Sequence, residues 1–511
     1  MKNFLGVLGI LILLITGTSC RDDFSFEPST GNLEFSQDTV FLDTVFSTIG
    51  SSTRTLKVYN RSSNNIVIPR VALADGTNSK YRLNVDGIPG QVFENVELLA
   101  KDSLFVFIET TVDITDFTND TQFVYEDQIE FDSGALQQKV ELVTLIQDAI
   151  FLFPERDADG VIGTLPLGTT QDGEEIRIQG FVLDDSQLNF TNEKPYVIYG
   201  YAAIPNNRTM TIQPGARLHF HANSGIIATN EATVKALGDF SSTEDLENEI
   251  IIEGDRLEPS FADLPGQWGT IWLTQGSLNH EFNHVTIKNA SVGILMDNSN
   301  PNSTGATLKI NNSQILNSSN SALIATTADV DCSNSIFHNS GQSTVIARLG
   351  GSYNFNNCTI SNYWRNSFRQ DATLLITNGF PNSELSEDLI EATFSNCIVY
   401  GDRNIEIALA DTENSLFNFN FNHSLLRIND VFNDLDGNPN YDFNNPLLYE
   451  NNILNIDPEF ENPARFLMRI DNSSGANGIA NPTTASNTDI LNITRGSNPD
   501  AGAYESQDLN N

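Results

Sequence analysis

A six-residue pattern recurs through the second half of the chain and constrains the fold more than any other feature. The pattern is apolar, Asn or Ser, Asn or His, small, any, apolar. It reads Phe282-Asn-His-Val-Thr-Ile287, Ile310-Asn-Asn-Ser-Gln-Ile315, Cys332-Ser-Asn-Ser-Ile-Phe337, Phe355-Asn-Asn-Cys-Thr-Ile360, Phe394-Ser-Asn-Cys-Ile-Val399 and Phe421-Asn-His-Ser-Leu-Leu426. The starts at 282, 310, 332, 355, 394 and 421 lie 28, 22, 23, 39 and 27 residues apart. In the first four copies another Asn follows two residues later, at Asn289, Asn317, Asn339 and Asn362. A fixed period in this range marks a stacked repeat.

The 22- and 23-residue intervals fit one coil of a right-handed parallel β-helix, and the longer ones fit loops inserted on one face. Phe380–Glu391 is the expected long loop of the 39-residue interval. Equivalent strands would stack in parallel about 4.8 Å apart. The first and last apolar positions and the small fourth one would point inward. The third would be a bend, where Asn tolerates positive φ. Stacked Asn amides can form a ladder along such a solenoid. Cys358 and Cys397 share one position in successive copies. A direct in-register pair stacks too stiffly for a good disulfide, so both, with Cys332, read as buried thiols.

Upstream, Tyr196–His221 reads as strands closing the solenoid's end, with Thr211-Ile-Gln-Pro-Gly-Ala-Arg-Leu-His-Phe220 alternating around a Pro-Gly turn. Together with Pro265-Gly-Gln-Trp-Gly-Thr-Ile-Trp272 and Gly350-Gly-Ser-Tyr-Asn-Phe355, this stretch resembles a family of uncharacterised bacterial surface lipoproteins with a pectin-lyase-like β-helix. Asp500-Ala-Gly-Ala-Tyr-Glu505, preceded by Arg495-Gly496, resembles the Asp-Ile-Gly-Ala-Tyr-Glu ending of bacterial β-helix proteins, with Ala501 in place of Ile. The resemblance implies a fold and imports no reaction.

Between Leu33 and Ile150 the chain reads as eight short strands: Thr39–Phe46, Thr53–Tyr59, Asn65–Ala72, Tyr81–Val85, Val92–Leu98, Ser103–Thr111, Phe123–Phe131 and Gln138–Gln147. Turn-rich segments separate them, which argues for a β-sandwich. The segment resembles the immunoglobulin-like modules that precede β-helices in such lipoproteins, and a spacer role is expected. Asp38-Thr-Val40, Asp43-Thr-Val45 and Asp102-Ser-Leu104 weakly match an O-glycosylation tripeptide.

The N-terminus has the three parts of a secretory signal: Lys2, a 12-residue apolar run from Phe4 to Ile15, and small residues up to Ser19. Cys20 then resembles the lipidated cysteine of a lipobox, although Gly17 stands where Leu is usual. Arg21-Asp-Asp23 resembles the acidic signal that, in one glycan-feeding Gram-negative phylum, sends lipoproteins to the outside of the outer membrane. Expected boundaries are therefore 1–19 signal, 20–32 tether, 33–150 sandwich, 151–195 linker and N-terminal cap, 196–470 β-helix, and 471–511 C-terminal cap and tail. Cys20 is the expected lipidation site; three acyl chains would hold it in the outer membrane.

Acidic residues outnumber basic ones 66 to 27, a formal charge of -39. That field repels nucleic acid and anionic lipid, and disfavours polyanionic glycans unless basic residues cluster locally. The catalytic sets of known β-helix enzymes are missing. Asn487-Thr-Asp489 and Asp184-Asp185 stand in the wrong order for a polygalacturonase-type site, and no Arg-Ile-Lys follows. Arg348, Arg365, Arg369, Arg403 and Lys288 lack an acidic metal-binding partner motif that a lyase would need. No catalytic residue and no metal site is assigned. Asp157-Ala-Asp-Gly160 and Asp434-Leu-Asp-Gly437 offer weak Ca²⁺ ligands, completing no loop pattern. Of the six histidines, His284 and His423 occupy the Asn place of the repeat, and His219 and His221 share a strand.

Trp268, Trp272, Tyr353, Tyr363 and Trp364 recur near strand ends, with Arg365 next to the last. Exposed, they would stack on sugar rings; buried, they would fill the core. The expected function is a non-catalytic surface protein binding extracellular polysaccharide or another surface protein. The alternatives are a β-helix lyase or hydrolase, and a structural or adhesive envelope protein.

Overall fold

A computed structural model describes residues 25–116, 123–170, 172–297, 307–380 and 384–509. The signal segment, Cys20 and the Arg21-Asp-Asp23 triplet lie outside the described residues. The chain divides into two compact units, 1–148 and 149–511.

In the first unit, strands alternate apolar-in and polar-out, as a half-buried sheet requires. Ser103–Thr110 shows it: Leu104, Val106 and Ile108 are buried while Phe105 and Phe107 face outward. A six-stranded sheet contains Ile66–Leu73, Val92–Leu98, Phe123–Phe131, Gln138–Gln147 and Thr39–Phe46; a five-stranded sheet contains Arg54–Tyr59, Ser103–Thr110 and Tyr81–Val85. Both contribute to one apolar core that includes Leu42, Ile68, Phe131 and Leu142 from the first, and Leu56, Tyr81, Val106 and Ile108 from the second. This is a small β-sandwich.

The second unit is a parallel β-helix. One face is an 11-stranded sheet running from Ile150–Leu152 to Ile453–Leu454, one strand per rung. The other two faces are joined into an 18-stranded sheet by Ser321–Ser333 and Val345–Asn356, which run through the corner between them. The repeat is in register: Phe282 pairs with Ile310, then Cys332, Phe355, Phe394, Phe421 and finally Tyr449. The last of these reveals a seventh copy, Tyr449-Glu-Asn-Asn-Ile-Leu454. Its first ring closes an aromatic column, with Phe355–Phe394 and Phe394–Phe421 stacked at 5.0 Å and Phe421–Tyr449 at 5.8 Å.

The bend is built as its residue types require. All six third positions are left-handed, with φ of 50° at His284, 48° at Asn312, 47° at Asn334, 50° at Asn357, 55° at Asn396 and 49° at His423. The fourth position is small because it sits inside the corner, where the Ser313, Ser335 and Ser424 hydroxyls accept the backbone N–H of Val285, Ser313 and Cys397 on the preceding rung. The following Asn residues form a ladder: Asn317 Nδ2 donates to Asn289 Oδ1 at 2.7 Å, and Asn339 Nδ2 to Asn317 Oδ1 at 2.9 Å. Asn362 instead bonds the Ser340 backbone. Cys332, Cys358 and Cys397 are free and buried.

Three expectations need correction. The stretch 151–195 is not only linker and cap: Ile150–Leu152, Glu175–Val182 and Asn189–Phe190 pair in parallel with Tyr196–Ile198, Tyr201–Ile204 and Thr209–Ile212. Tyr196–His221 is therefore an interior rung, and the rung before it carries an inserted hairpin, Thr164–Thr169 with Glu175–Val182. Residues 455–470 leave the rungs and form an antiparallel pair, Phe460–Asn462 with Leu467–Ile470. The surplus of the 39-residue interval is split between 363–373 and 378–388.

The tail covers the 11-stranded face. Leu316, Ile336, Ile398 and Leu425 point outward and are buried by Met468, Ile490, Ala503 and Tyr504, and by Ile470, Ala476 and Ala501. The Arg495 guanidinium, 2% exposed, clamps this tail. It donates to the Asp500 carbonyl at 3.0 Å, the Gly502 carbonyl at 2.8 Å and Asn334 Oδ1 at 3.3 Å, and pairs with Glu505 at 2.5 Å. At Gly502, φ +90, a Cβ would meet Thr359 Oγ1 at 2.8 Å, so the Ala-Gly-Ala ending fits no larger residue there.

Candidate functional site

The inserted hairpin lies on the outer face of the first rungs. Its Leu165 and Ile178 pack on an outward row of Tyr201, Ala203 and Ile227, with Trp272 at the far side. The row follows from strand alternation, since Ile226 and Ala228 point inward and Ile227 outward. A groove opens on each flank of the hairpin.

The first groove, of about 680 Å³, has Leu165, Pro166 and Leu167 as one wall and Val182, Ala203 and Ile227 as its floor. Trp272 and Asp297 form the opposite side, and Thr229, Asn230, Thr274 and Gln275 supply polar atoms at the end. The Trp272 indole N–H donates to Asp297 Oδ2 at 2.7 Å, which fixes the ring while it remains half-buried. An apolar floor, one fixed aromatic ring and a few amides and hydroxyls make a surface suited to a small polar ligand with an apolar face.

The second pocket, of about 810 Å³, is lined by Arg156, Arg177, Tyr199, Tyr201 and His221 among others. Glycines shape its floor: at Gly269 a Cβ would strike the Tyr201 hydroxyl at 2.1 Å, so only glycine lets that ring lie flat. His221 Nδ1 meets Asp255 Oδ2 at 2.8 Å, and the Tyr199 ring stacks on the imidazole at 4.4 Å. The hydrogen bond that His221 donates to Asp255 holds the His221 pKa above its ordinary value, against partial desolvation. Burial, helped by the Asp255 carboxylate, pushes the Tyr199 phenol up to about 12. Among the described residues, His221 Nε2 and the Tyr199 hydroxyl have no hydrogen-bond partner.

The aromatic residues singled out above are not brought together. Trp268 is 1% exposed, stacks on Phe220 at 4.7 Å and donates to the Lys288 carbonyl. Tyr353 is equally buried, its hydroxyl donating to the Gly350 carbonyl at 2.9 Å. Trp364 is buried and donates to Ser367 Oγ at 2.8 Å, and Tyr363 is half-buried, edge-on to Phe460. These four are packing residues as placed, because each faces inward or lies under an inserted loop or the tail. Arg365 is exposed beside them, and Trp272 opens on the first groove.

The cations are also dispersed. Arg369 is buried in a cluster with Glu406 at 2.7 Å and Asp402 at 2.5 Å, Arg403 donates to the Arg369 carbonyl, and Lys288 pairs with Glu253. Asp157 Oδ1 accepts the backbone N–H of Asp159 and Val161, and Asp489 accepts three backbone N–H groups of the tail. Asp185 pairs with Arg208.

Sequence reasoning missed the His221–Asp255 pair. The two stand 34 residues apart and meet because Phe220 pairs with Gly254 on the next rung. Extending that register by one residue would have found it.

No family model matches the chain, and no curated protein matches its sequence. Among solved structures, the catalytic unit of a GH87 α-1,3-glucanase from Streptomyces thermodiastaticus is similar at 9% identity and TM-score 0.22, over 72% of this chain and 79% of that one. A family 123 glycoside hydrolase from Clostridium perfringens is similar at 9% identity and TM-score 0.16, over 23% of this chain; the match spans 26% of that enzyme's length. A PapD-like domain of human CEP192 is similar at 15% identity and TM-score 0.15, over 25% of this chain and 90% of that domain.

Proposed function

We propose that this chain is a lipid-anchored, surface-exposed, non-catalytic β-helix protein of the outer membrane that binds extracellular polysaccharide. The observation that carries the reading is the Trp272 groove, where a ring held by Asp297 stands over an apolar floor beside Asn230 and Gln275. The C–H face of a pyranose packs on such a ring while its hydroxyls bond amides and a carboxylate. The anchor rests on Cys20 and the residues around it, and the immunoglobulin-like sandwich stands in chain order between anchor and β-helix.

The test is a glycan-array screen of the mature chain, with lyase product absorbance read on every acidic glycan. Binding that Trp272→Ala weakens at least about tenfold, without product, supports the reading. Product formation overturns the non-catalytic part. Absence of any glycan binding, or binding indifferent to Trp272→Ala, overturns the groove assignment. Trp364→Ala is no substitute, since that ring is buried.

A further inference from the structure

We propose that the second pocket, beside Arg156, Arg177 and His221, receives the anionic group of an acidic polysaccharide, a uronate carboxylate or a sulfate ester. The proposal deepens the polysaccharide-binding reading and rests on it, but uses a different pocket.

The two flanks of the hairpin differ in charge. The Trp272 groove includes Asp297 and no basic residue, whereas the second pocket has two arginines and a histidine among its lining and no Asp or Glu. In a chain with 66 acidic and 27 basic residues, that is a local gathering of cations, of which Arg156 has no carboxylate partner among the described residues while Arg177 and His221 contact Glu175 and Asp255. It supplies the basic cluster without which the overall charge would repel a polyanion.

The three cations are not equally committed. Arg177 is tied to Thr164 and neutralised by Glu175 at 2.8 Å. Arg156 donates once, to the Gly160 carbonyl at 2.9 Å, and among the described residues it pairs with no carboxylate. His221 turns Nδ1 to Asp255 and leaves Nε2 unpartnered. Arg156 therefore provides a standing charge with free N–H donors, and His221 a donor that gains charge on protonation. Tyr199, stacked on His221, and Tyr201, flat over Gly269, supply ring faces for the sugar carrying the group. The charged and titratable groups facing His221 are Asp255 and Arg256 from the next rung, Tyr199 from the preceding one, and the two arginines of the pocket; Arg256 is itself paired with Glu258.

Calorimetric titration of the mature chain with tri-galacturonate, its methyl ester, a sulfated dextran oligomer and inorganic sulfate tests the proposal. The acid trisaccharide or the sulfated oligomer is expected to bind at least about tenfold tighter than the uncharged ester. Which of the two binds identifies the anionic group. Arg156→Ala should erase that preference. Binding should strengthen from about pH 8 to about pH 6 in the wild type and lose this trend in His221→Gln. Both residues are exposed, so neither variant threatens the fold. Equal affinity for acid and ester, an unchanged Arg156→Ala, or inorganic sulfate competing as well as the oligosaccharides would overturn the proposal. Trp272→Ala, run in parallel, reports on the first groove alone, so the two readings fail separately.

Discussion

Replacing Asn317 by Ala should cost the β-helix far more than the loss of one surface amide. Asn317 is 1% exposed, has φ 58° and stands in the middle of the amide ladder. Its Nδ2 donates to Asn289 Oδ1 and to the Asp263 carbonyl, and its Oδ1 accepts from Asn339 Nδ2. Ala leaves two buried amide atoms on Asn289 and Asn339 without partners, at about 1–3 kcal/mol each. It also places a Cβ-bearing residue without a compensating polar side chain in the left-handed region, at about 1 kcal/mol. The sum is about 3–7 kcal/mol. Asn317→Gly removes the backbone part only and should recover about 1 kcal/mol of it. Asn312 is the internal control: it is left-handed too, but half-buried, with two longer bonds, its Nδ2 donating to Asn283 Oδ1 at 3.2 Å and its Oδ1 accepting at 3.3 Å from Asn334 Nδ2, which keeps the Thr488 carbonyl at 2.7 Å. Its Ala variant should cost about 1–2 kcal/mol. Urea unfolding followed by tryptophan fluorescence isolates the relevant unit, because all three tryptophans, Trp268, Trp272 and Trp364, lie in 149–511. If Asn317→Ala costs no more than Asn312→Ala, the ladder does not stabilise the stack and the reasoning is refuted.

Acid should weaken the β-helix before its carboxylates titrate. Burial lowers His280 to about 3 and His338 to about 4 from an unfolded value of 6.5, each imidazole being held neutral between a donor and an acceptor. The stability they contribute is complete above pH 6.5 and is lost as pH falls toward those folded values, on the order of 5 kcal/mol for the pair by pH 4; unfolding midpoints that stay flat over that interval would contradict it. Arg495→Met should release the C-terminal tail, since it strands Glu505 and two carbonyls at about 3–5 kcal/mol; limited proteolysis should then clip the tail first, and a wild-type cleavage pattern would show that the clamp is dispensable. Cys20→Ala should move the protein from the membrane pellet to the soluble fraction, and unchanged sedimentation would refute lipidation.

Local rules and long-range register account for different parts of the molecule. Six copies of a bend pattern sufficed to read the parallel β-helix, because each needs a left-handed residue, a small corner residue and two inward apolar positions, all within six residues. Eight of the eleven sandwich strands were legible for the same reason: alternation and turns are properties of neighbours in the chain, whereas Glu27–Pro28, Glu34–Phe35 and Ile88–Gly90 are too short to show either. The seventh copy is masked in the sequence because Glu450 and Asn452 break the pattern at its second and fourth positions, while the preceding rung still dictates the pairing.

What the sequence by itself determined is therefore the repeat, the inward rows and the ladder of amides. Only the tertiary structure decided which aromatic rings open on a groove: Trp268 turns into the core just before the strand Ile271–Leu273, whereas Trp272 is that strand's outward middle residue. It also decided that a hairpin covers the outer face of the first rungs, that the tail covers the 11-stranded face, and that His221 meets Asp255. Those contacts join residues separated by inserted loops of unequal length, and their register is set by stacking of whole rungs rather than by any local spacing.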